Sequence, residues 1–125
     1  MLDIDTPVLS MDWLPGKGNQ ETLAVACSDG SFKLVSKTGR VEKTVAEAHA
    51  TAIIAIKWSY EGTLATAGED GQVKTWSKTG MLRAQVVQGG KPIYGLVWSP
   101  ENDSILYCSD KNLIIEPTLP GNKQI

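Results

Sequence analysis

The chain is poor in the residues that mark secreted, metal-dependent or membrane-spanning proteins. Its 125 residues include two cysteines and one histidine. Two cysteines are too few for a disulfide scaffold, which favours a reducing compartment. The longest apolar stretch, residues 52–56, is far shorter than the ~20 residues that cross a bilayer. The acidic start, Met1–Asp5, lacks the basic and apolar regions of a secretory signal. We therefore expect no membrane insertion.

An excess of charge of one sign is also absent. Twelve Lys and Arg stand against fourteen Asp and Glu, which gives a net charge of -2. A protein that holds nucleic acid phosphates needs a basic surface, so we expect no nucleic acid partner. The apolar content of 42% and charged content of 21% are those of an ordinary globular protein. The length fits one domain, and we expect a cytoplasmic protein.

An internal repeat of about 40 residues is the main signal in the sequence. Trp13, Trp58 and Trp98 are separated by 45 and 40 residues, and Ser36-Lys37-Thr38-Gly39 recurs unchanged 41 residues later. Short strands at this period are typical of four-stranded propeller blades. The sequence therefore predicts one domain over residues 1–125, with blades at about 7–46, 49–88 and 91–117.

Strand patterns within the three units agree with the repeat. No long stretch shows helical periodicity, and the glycine of each Lys-Thr-Gly turn supplies a positive φ. Pro117, Pro120 and Gly121 interrupt a fourth strand in the third unit. An all-β partial propeller is predicted, with strands at 8–13, 23–27, 31–36, 40–45, 52–58, 64–68, 72–77, 81–87, 93–98, 105–109 and 112–116.

The first strand of each unit has a small residue at its centre: Ser10, Ala55 and Gly95. First strands of a propeller line the central channel, where blades converge and space is short. Three blades cannot close a ring, because propellers usually have four to eight. Such an arc leaves two exposed sheet faces and two unpaired edges. The chain is therefore either part of a longer propeller or completes itself with partners or by self-association.

The middle unit resembles a WD40 repeat. His49 precedes its first strand, Thr66 lies in the second, Asp70 in the turn, and Trp76 ends the third. In the WD40 family these residue types form a structural, hydrogen-bonded tetrad. The chemistry is reasonable, because a buried indole N–H, an imidazole and a carboxylate can satisfy one another. The resemblance implies that these four residues hold the middle blade rigid.

The outer units match this pattern less well. They keep only the aspartate of the tetrad, as Asp29 and Asp110. Alignment places apolar residues opposite Thr66, namely Val25 and Leu106. The tetrad is therefore predicted in one blade of the three.

Longer segments carry a narrower resemblance. These are 36–43, 58–63, 68–83, 106–108 and 113–117. Together they resemble the family of the eighty-kilodalton WD40 subunit of intraflagellar transport complex B, over roughly 22–117. That family has two propellers and a helical tail, and this chain resembles a segment of the first propeller. The resemblance implies a non-enzymatic scaffold in cilium assembly, found in the cytoplasm, the cilium and the ciliary base. Its partners would be other complex B subunits.

Two other functions are compatible with parts of the sequence. A WD40 adaptor of another complex, for example one that recruits substrates for ubiquitin ligation, would have the same fold. A hydrolase could be assembled on paper from Ser28, His49 and Asp70, but the tetrad explains the histidine and the aspartate as structural residues. No CxxC, HExxH or Gly-rich phosphate loop occurs. We therefore expect no enzyme, no catalytic residue, no metal and no cofactor.

Two turns carry cations. Lys37 and Arg40 flank the first Lys-Thr-Gly turn, and Lys78 and Arg83 flank the second. Equivalent turns of neighbouring blades lie on the same propeller face, so these four residues are predicted to form a modest basic cluster for an acidic protein partner. The alternative is that they are separate, solvated turn residues.

The two cysteines, Cys27 and Cys108, align at equivalent positions of the first and third units. Because the whole middle blade separates them, their Cα atoms should exceed the ~7 Å limit for a disulfide. Buried free thiols are predicted at both positions.

Overall fold

Three antiparallel sheets make up the fold of this computed structural model, which describes residues 6–14, 22–88, 91–100, 104–109 and 112–117. The first sheet contains β1 (Val8–Trp13), β2 (Thr22–Cys27), β3 (Phe32–Ser36) and β4 (Val41–Val45). The second contains β5 (Ile53–Trp58), β6 (Leu64–Gly68), β7 (Gln72–Trp76) and β8 (Leu82–Gln88). The third contains β9 (Ile93–Trp98), β10 (Ser104–Ser109) and β11 (Asn112–Pro117).

Within each sheet, strands that follow one another in the chain are hydrogen-bonded to each other, as in a propeller blade. The predicted strands agree with the observed ones to within one residue at each end, and the all-β prediction is confirmed. None of the described residues forms a helix with the length and apolar character needed to cross a membrane. Residues 118–125 lie outside the described part of the chain, so the lack of a fourth strand in the third unit stays a prediction.

The first strands of the three sheets lie side by side: β1 contacts β5, and β5 contacts β9. Each has a β-bulge at the same place, where Leu9, Ile54 and Tyr94 are skipped in the pairing with the second strand. A bulge bends its strand and increases the local twist. Periodicity did not predict these bulges, which immediately precede the three small residues.

The first core lies between the first and second sheets. Ala24 and Ala26 on β2 have no exposed surface, and they share a buried cluster with larger side chains. Phe32 from the first sheet meets Trp76 from the second edge to face, with ring centroids 5.0 Å apart and planes at 69°. Aromatic pairs in this arrangement add to the apolar burial. The buried members are Leu14, Ala24, Ala26, Phe32, Leu34, Ala48, Ile53, Ile56, Trp58, Leu64 and Trp76.

The second core lies between the second and third sheets and repeats this pairing of small with large residues. The second sheet contributes small side chains, including Ala65 and Ala67, which have no exposed surface. The third sheet contributes larger ones, including Ile105 and Tyr107. Small side chains on one face let the bulky face of the next sheet approach to native packing density.

The outer faces of the first and third sheets carry exposed apolar side chains. Met11 and Trp13 are exposed on the first sheet, and Leu113 and Ile115 on the third. Two such faces were expected for an arc of three blades. Self-association through them stays a prediction.

The register of the third sheet corrects the alignment of the repeats. Thr66 pairs with Ile56 on the first strand of its sheet. The corresponding residue of the third sheet is Tyr107, which pairs with Leu96. The predicted match to Leu106 is therefore wrong by one residue. The physical reason is that the loop between the tryptophan and the second strand is one residue longer in the third sheet than in the second.

The same one-residue shift means that the two cysteines do not occupy equivalent positions in their sheets. Cys108 pairs with Gly95, as Ala67 pairs with Ala55, so Cys108 is not the counterpart of Cys27. A shift of one residue moves a side chain to the opposite face of a strand. Accordingly Cys27 is buried, whereas Cys108 is exposed, and both thiols are free. The prediction of a buried thiol is wrong for Cys108.

The turn between β2 and β3 lies directly under the segment that connects β4 to β5. Gly30 has a φ of 89° and accepts a hydrogen bond from the backbone N–H of His49 at 3.0 Å. A Cβ atom at Gly30 would overlap the carbonyl oxygen of His49 and lie 2.9 Å from that of Thr51. Glycine is therefore required here both by the positive φ and by the close approach of the backbone.

Two glycine substitutions separate the effect of the positive φ from the effect of the close backbone approach. Gly39 has nearly the same φ, 88°, but open space around it. We expect Gly39→Ala to lower the free energy of unfolding by about 1–2 kcal/mol, the cost of a left-handed alanine. Gly30→Ala should lower it by about 3 kcal/mol or more, because the connecting backbone must also move. Urea unfolding followed by tryptophan fluorescence measures both. Equal losses in the two variants would contradict the close approach.

Candidate functional site

The four tetrad residues of the middle blade form a continuous chain of hydrogen bonds. The Trp76 indole N–H donates to the Thr66 hydroxyl at 2.9 Å. The Thr66 hydroxyl lies 2.8 Å from Nε2 of His49. Nδ1 of His49 lies 3.2 and 3.3 Å from the two carboxylate oxygens of Asp70. The structure thus brings all four predicted residues together, from the buried indole to the partly exposed carboxylate.

One proton arrangement satisfies every member of this chain. Because Thr66 accepts from Trp76, its hydroxyl hydrogen is available to Nε2 of His49. The imidazole then carries its proton on Nδ1 and donates to Asp70. Asp70 also accepts the backbone N–H of Gln72 at 3.0 Å. The tetrad is therefore a directed relay of hydrogen bonds in which both ring nitrogens are used.

Burial keeps the histidine neutral. Desolvation lowers the pKa of His49 from its ordinary value of 6.5, and the Asp70 carboxylate opposes this shift. Because the lowering prevails, the contact with Asp70 is a hydrogen bond from a neutral imidazole at neutral pH and not an ion pair. The histidine thus acts here as a donor and an acceptor at the same time.

Two further residues hold the segment that carries His49, and a third leaves room for its ring. The sequence analysis missed all three. Gly30 fixes its backbone from the first sheet. Lys74 on β7 donates to the carbonyl of Ala48 at 2.8 Å. Gly68 leaves room for the tetrad, because a Cβ there would lie 2.7 Å from Asp70 Oδ1 and 2.8 Å from His49 Nδ1. The Asp-Gly pair that recurs at 29–30 and 70–71 in the sequence is a turn signal that could have marked Gly30, but nothing local to the sequence marked the other two.

The aspartate of the first blade has a different role. Asp29 Oδ1 accepts the backbone N–H and the hydroxyl of Ser31, at 3.0 and 2.6 Å. These hydrogen bonds lower the pKa of Asp29. The aspartate therefore stabilises its own turn without a histidine. Asp110 of the third unit lies outside the described residues.

The hydrolase arrangement is not assembled. The Ser28 hydroxyl lies 3.4 Å from that of Thr6, and both ring nitrogens of His49 are bonded within the tetrad. In the part of the chain that the structure describes, no group of three or more His, Cys, Asp and Glu side chains could hold a metal ion.

The four predicted basic residues do not all share one environment. Arg40 forms an ion pair with Glu42 on its own sheet, at 3.8 Å, and Lys37 is exposed. Arg83 donates to the Thr63 hydroxyl at 3.1 Å, and the stem of Lys78 lies against Gly62. Lys78 and Arg83 thus meet at the loop between β5 and β6. A single cluster of all four stays a prediction.

Comparison with known proteins defines the class first. The model of the family "WD domain, G-beta repeat" matches residues 40–77, which contain the complete tetrad. Residues 40–77 thus match a WD40 repeat, and together with the three antiparallel sheets this match supports the fold of a partial WD40 propeller.

The chain is also similar in sequence to two particular proteins. The chain is 54% identical over 104 residues to the Intraflagellar transport protein 80 homolog of Mus musculus, and equally to that of Rattus norvegicus. The match covers 82% of this chain and 13% of each relative. The chain therefore resembles a segment of that protein, as the sequence predicted, and spans only a small part of its length.

The Thr66 hydroxyl of the tetrad can be removed with little change in the shape of the side chain by substituting valine. Thr66→Val should lower the free energy of unfolding by about 1–3 kcal/mol, because the Trp76 N–H and His49 Nε2 lose their partner in a buried site. Asp70→Ala and His49→Ala should do so by a similar amount. Thr44→Val, at an exposed position of β4, is the matched control and should change stability by less than about 0.5 kcal/mol. Equal stability of all variants in urea unfolding would reject the structural role.

Stability should also depend on the charge state of the single histidine. The pKa of His49 is lower in the folded chain than in the unfolded one. The unfolded state therefore binds more protons as the pH falls below 6.5, and folding stability decreases in that direction. We expect the wild-type unfolding free energy to fall from pH 7.5 to 5.5, and that of His49→Gln to be flat over about the same range. A rise in wild-type stability towards pH 5.5 would contradict a neutral buried imidazole.

Proposed function

We propose that the chain is a non-enzymatic protein–protein interaction scaffold that works in intraflagellar transport complex B and in cilium assembly. The observation that carries this proposal is the 54% identity over 104 residues to the Intraflagellar transport protein 80 homologs of mouse and rat. Because the match covers 13% of those relatives, the partners and the location of the whole protein are part of the proposal. The locations are the cytoplasm, the cilium and the ciliary base.

The chemistry of the tetrad supports a scaffold over an enzyme. A histidine base may have both ring nitrogens hydrogen-bonded, but the hydroxyl that it activates must reach substrate. In this chain the hydroxyl bonded to His49 is that of Thr66, which has no exposed surface and already accepts the Trp76 indole N–H, and His49 is itself buried. A rigid blade that presents its loops to another protein uses the same residues without any further requirement.

Affinity purification from ciliated cells tests the partner class. We expect the tagged chain to recover subunits of the intraflagellar transport particle and to locate at the ciliary base. Gly39→Ala should recover the same subunits, whereas Gly30→Ala should lose them if recognition requires the packed blades. Recovery of ubiquitin-ligase subunits in their place would favour the adaptor alternative and overturn the assignment to the transport complex.

A further inference from the structure

The two contacts between neighbouring sheets are built alike. In each, the first strand of one sheet lies against the first and second strands of the sheet before it in the chain. We call the surface that the later sheet contributes its docking face. On the first strands, it contains Ile56 and Trp58 in the second sheet and Leu96 and Trp98 in the third.

The surface that the earlier sheet contributes is its receiving face. On the second strands, it contains Ala24 and Ala26 in the first sheet and Ala65 and Ala67 in the second. These four alanines have no exposed surface, because the docking face of the next sheet covers them. Every inner sheet of such a stack therefore uses both of its faces.

The docking face of the first sheet carries the most exposed apolar pair of its kind. The pairing with β2 places Met11 and Trp13 at the positions of Ile56 and Trp58. Ile56 is fully buried and Trp58 is 5% exposed, whereas Met11 is 60% and Trp13 53% exposed. In the part of the chain that the structure describes, no sheet precedes the first one. The same two positions are thus buried where a preceding sheet covers them and open where none does.

The receiving face of the third sheet is open as well. Leu106 and Cys108 occupy the two positions at which the other sheets have alanines. Cys108 is exposed, and so is Val97, which pairs with Leu106. The third strand adds Leu113 and Ile115, which are also exposed. Each of these side chains is apolar or a thiol, so the face is suited to packing against another apolar surface.

The two open faces are complementary in size. Each existing contact sets an aromatic side chain of the docking face, Trp76 or Tyr107, in a core with the alanines of the receiving face. On the docking face of the first sheet, Val35 stands in the place of Trp76, and Val25 in that of Tyr107. The receiving face of the third sheet has Leu106 in place of an alanine. Because bulk lost on one face is gained on the other, the two faces can pack at native density.

A charged residue on the docking face of the first sheet is compatible with this packing. Lys33 pairs with Val25 and is attracted by the Asp29 carboxylate. The same position in the second sheet is Lys74, whose ammonium group donates to the carbonyl of Ala48. A lysine at this position is therefore already accommodated where two sheets are in contact.

A hydrogen bond between first strands indicates how the open faces would align. In the contact between the second and third sheets, the Trp98 indole N–H donates to the carbonyl of Lys57 at 3.1 Å. The register makes Trp13 the counterpart of Trp98, and Val97 the counterpart of Lys57. The same stacking would bring the Trp13 indole N–H to the carbonyl of Val97.

We propose that two copies of this chain pair head to tail. The docking face of the first sheet of each copy packs on the receiving face of the third sheet of the other copy. Two copies of three sheets satisfy both faces at once and form a ring of six blades, within the range of known propellers. This inference goes beyond the proposed scaffold function and does not rest on the assignment to the transport complex.

Sedimentation equilibrium of the full chain measures the mass of the assembly, and we expect a dimer. Met11→Glu places a charge in the contact and should weaken dimerisation about tenfold or more. Met81→Glu is the matched control, because Met81 is 63% exposed and Met11 60%, but Met81 lies in the turn before β8. It should leave the dimer unchanged, and circular dichroism checks that both variants are folded. A monomeric wild type, or a series of larger open assemblies, overturns the closed pair.

The exposed thiol of Cys108 shows whether the third sheet provides the receiving face. Its reaction with a maleimide should slow as the protein concentration rises, because pairing covers it, whereas Cys27 is buried throughout. Mass spectrometry assigns the label to one cysteine. In Met11→Glu the labelling should stay fast at every concentration that pairs the wild type. A dimer in which Cys108 reacts as fast as in the monomer overturns the assignment of this face.

Mixing two variants distinguishes a head-to-tail pair from one in which two docking faces meet. Met11→Glu disables the docking face and Val97→Glu the receiving face, so each variant alone should be monomeric. Because each keeps the face that the other lacks, an equimolar mixture should form a heterodimer through one intact contact. A dimer of Val97→Glu alone, or a mixture that stays monomeric, contradicts the head-to-tail arrangement.

Discussion

The hydroxyl of Thr66 is the interaction on which the middle of this structure depends. It receives the Trp76 indole proton and supplies its own proton to His49, so one buried oxygen joins β6, β7 and the segment before β5. Trp76 then packs on Phe32 of the first sheet, and the His49 backbone bonds to Gly30 of the same sheet. A polar relay inside one blade therefore also fixes the position of its neighbour.

Packing of small against large side chains fixes the position of the third sheet on the second. The alanines of β6 receive Ile105 and Tyr107 from the next sheet. Trp58 and Trp98, which end β5 and β9, line an open cleft between the second and third sheets. Two of the three tryptophans that mark the repeat in the sequence thus lie at one cleft, because the first strands of neighbouring sheets are in contact.

Most of the fold was predictable because its signals are local. Alternation, turn residues and the recurring Ser-Lys-Thr-Gly placed each strand to within one residue. The bulges at Leu9, Ile54 and Tyr94 were not predictable, because a skipped residue leaves the alternation readable on either side of it. The alignment of Leu106 with Thr66 was wrong for a related reason. It assumed one repeat length throughout, but the loop between the first and second strands is one residue longer in the third sheet than in the second. A shift of one residue moves a side chain to the opposite face of its strand.

The sequence by itself determined the three repeated sheets, the four members of the tetrad and the positive φ of its turn glycines, because each depends on neighbours within about 40 residues and on recurring residue types. Tertiary structure alone decided the rest. It placed Gly30 against the backbone of His49, exposed Cys108 while burying Cys27, and gathered Lys78 and Arg83 at the loop of Tyr60. The Gly30 contact joins two sheets, and the contacts of Lys78 and Arg83 join separate strands and loops of one sheet. No local pattern of residues encodes either distance.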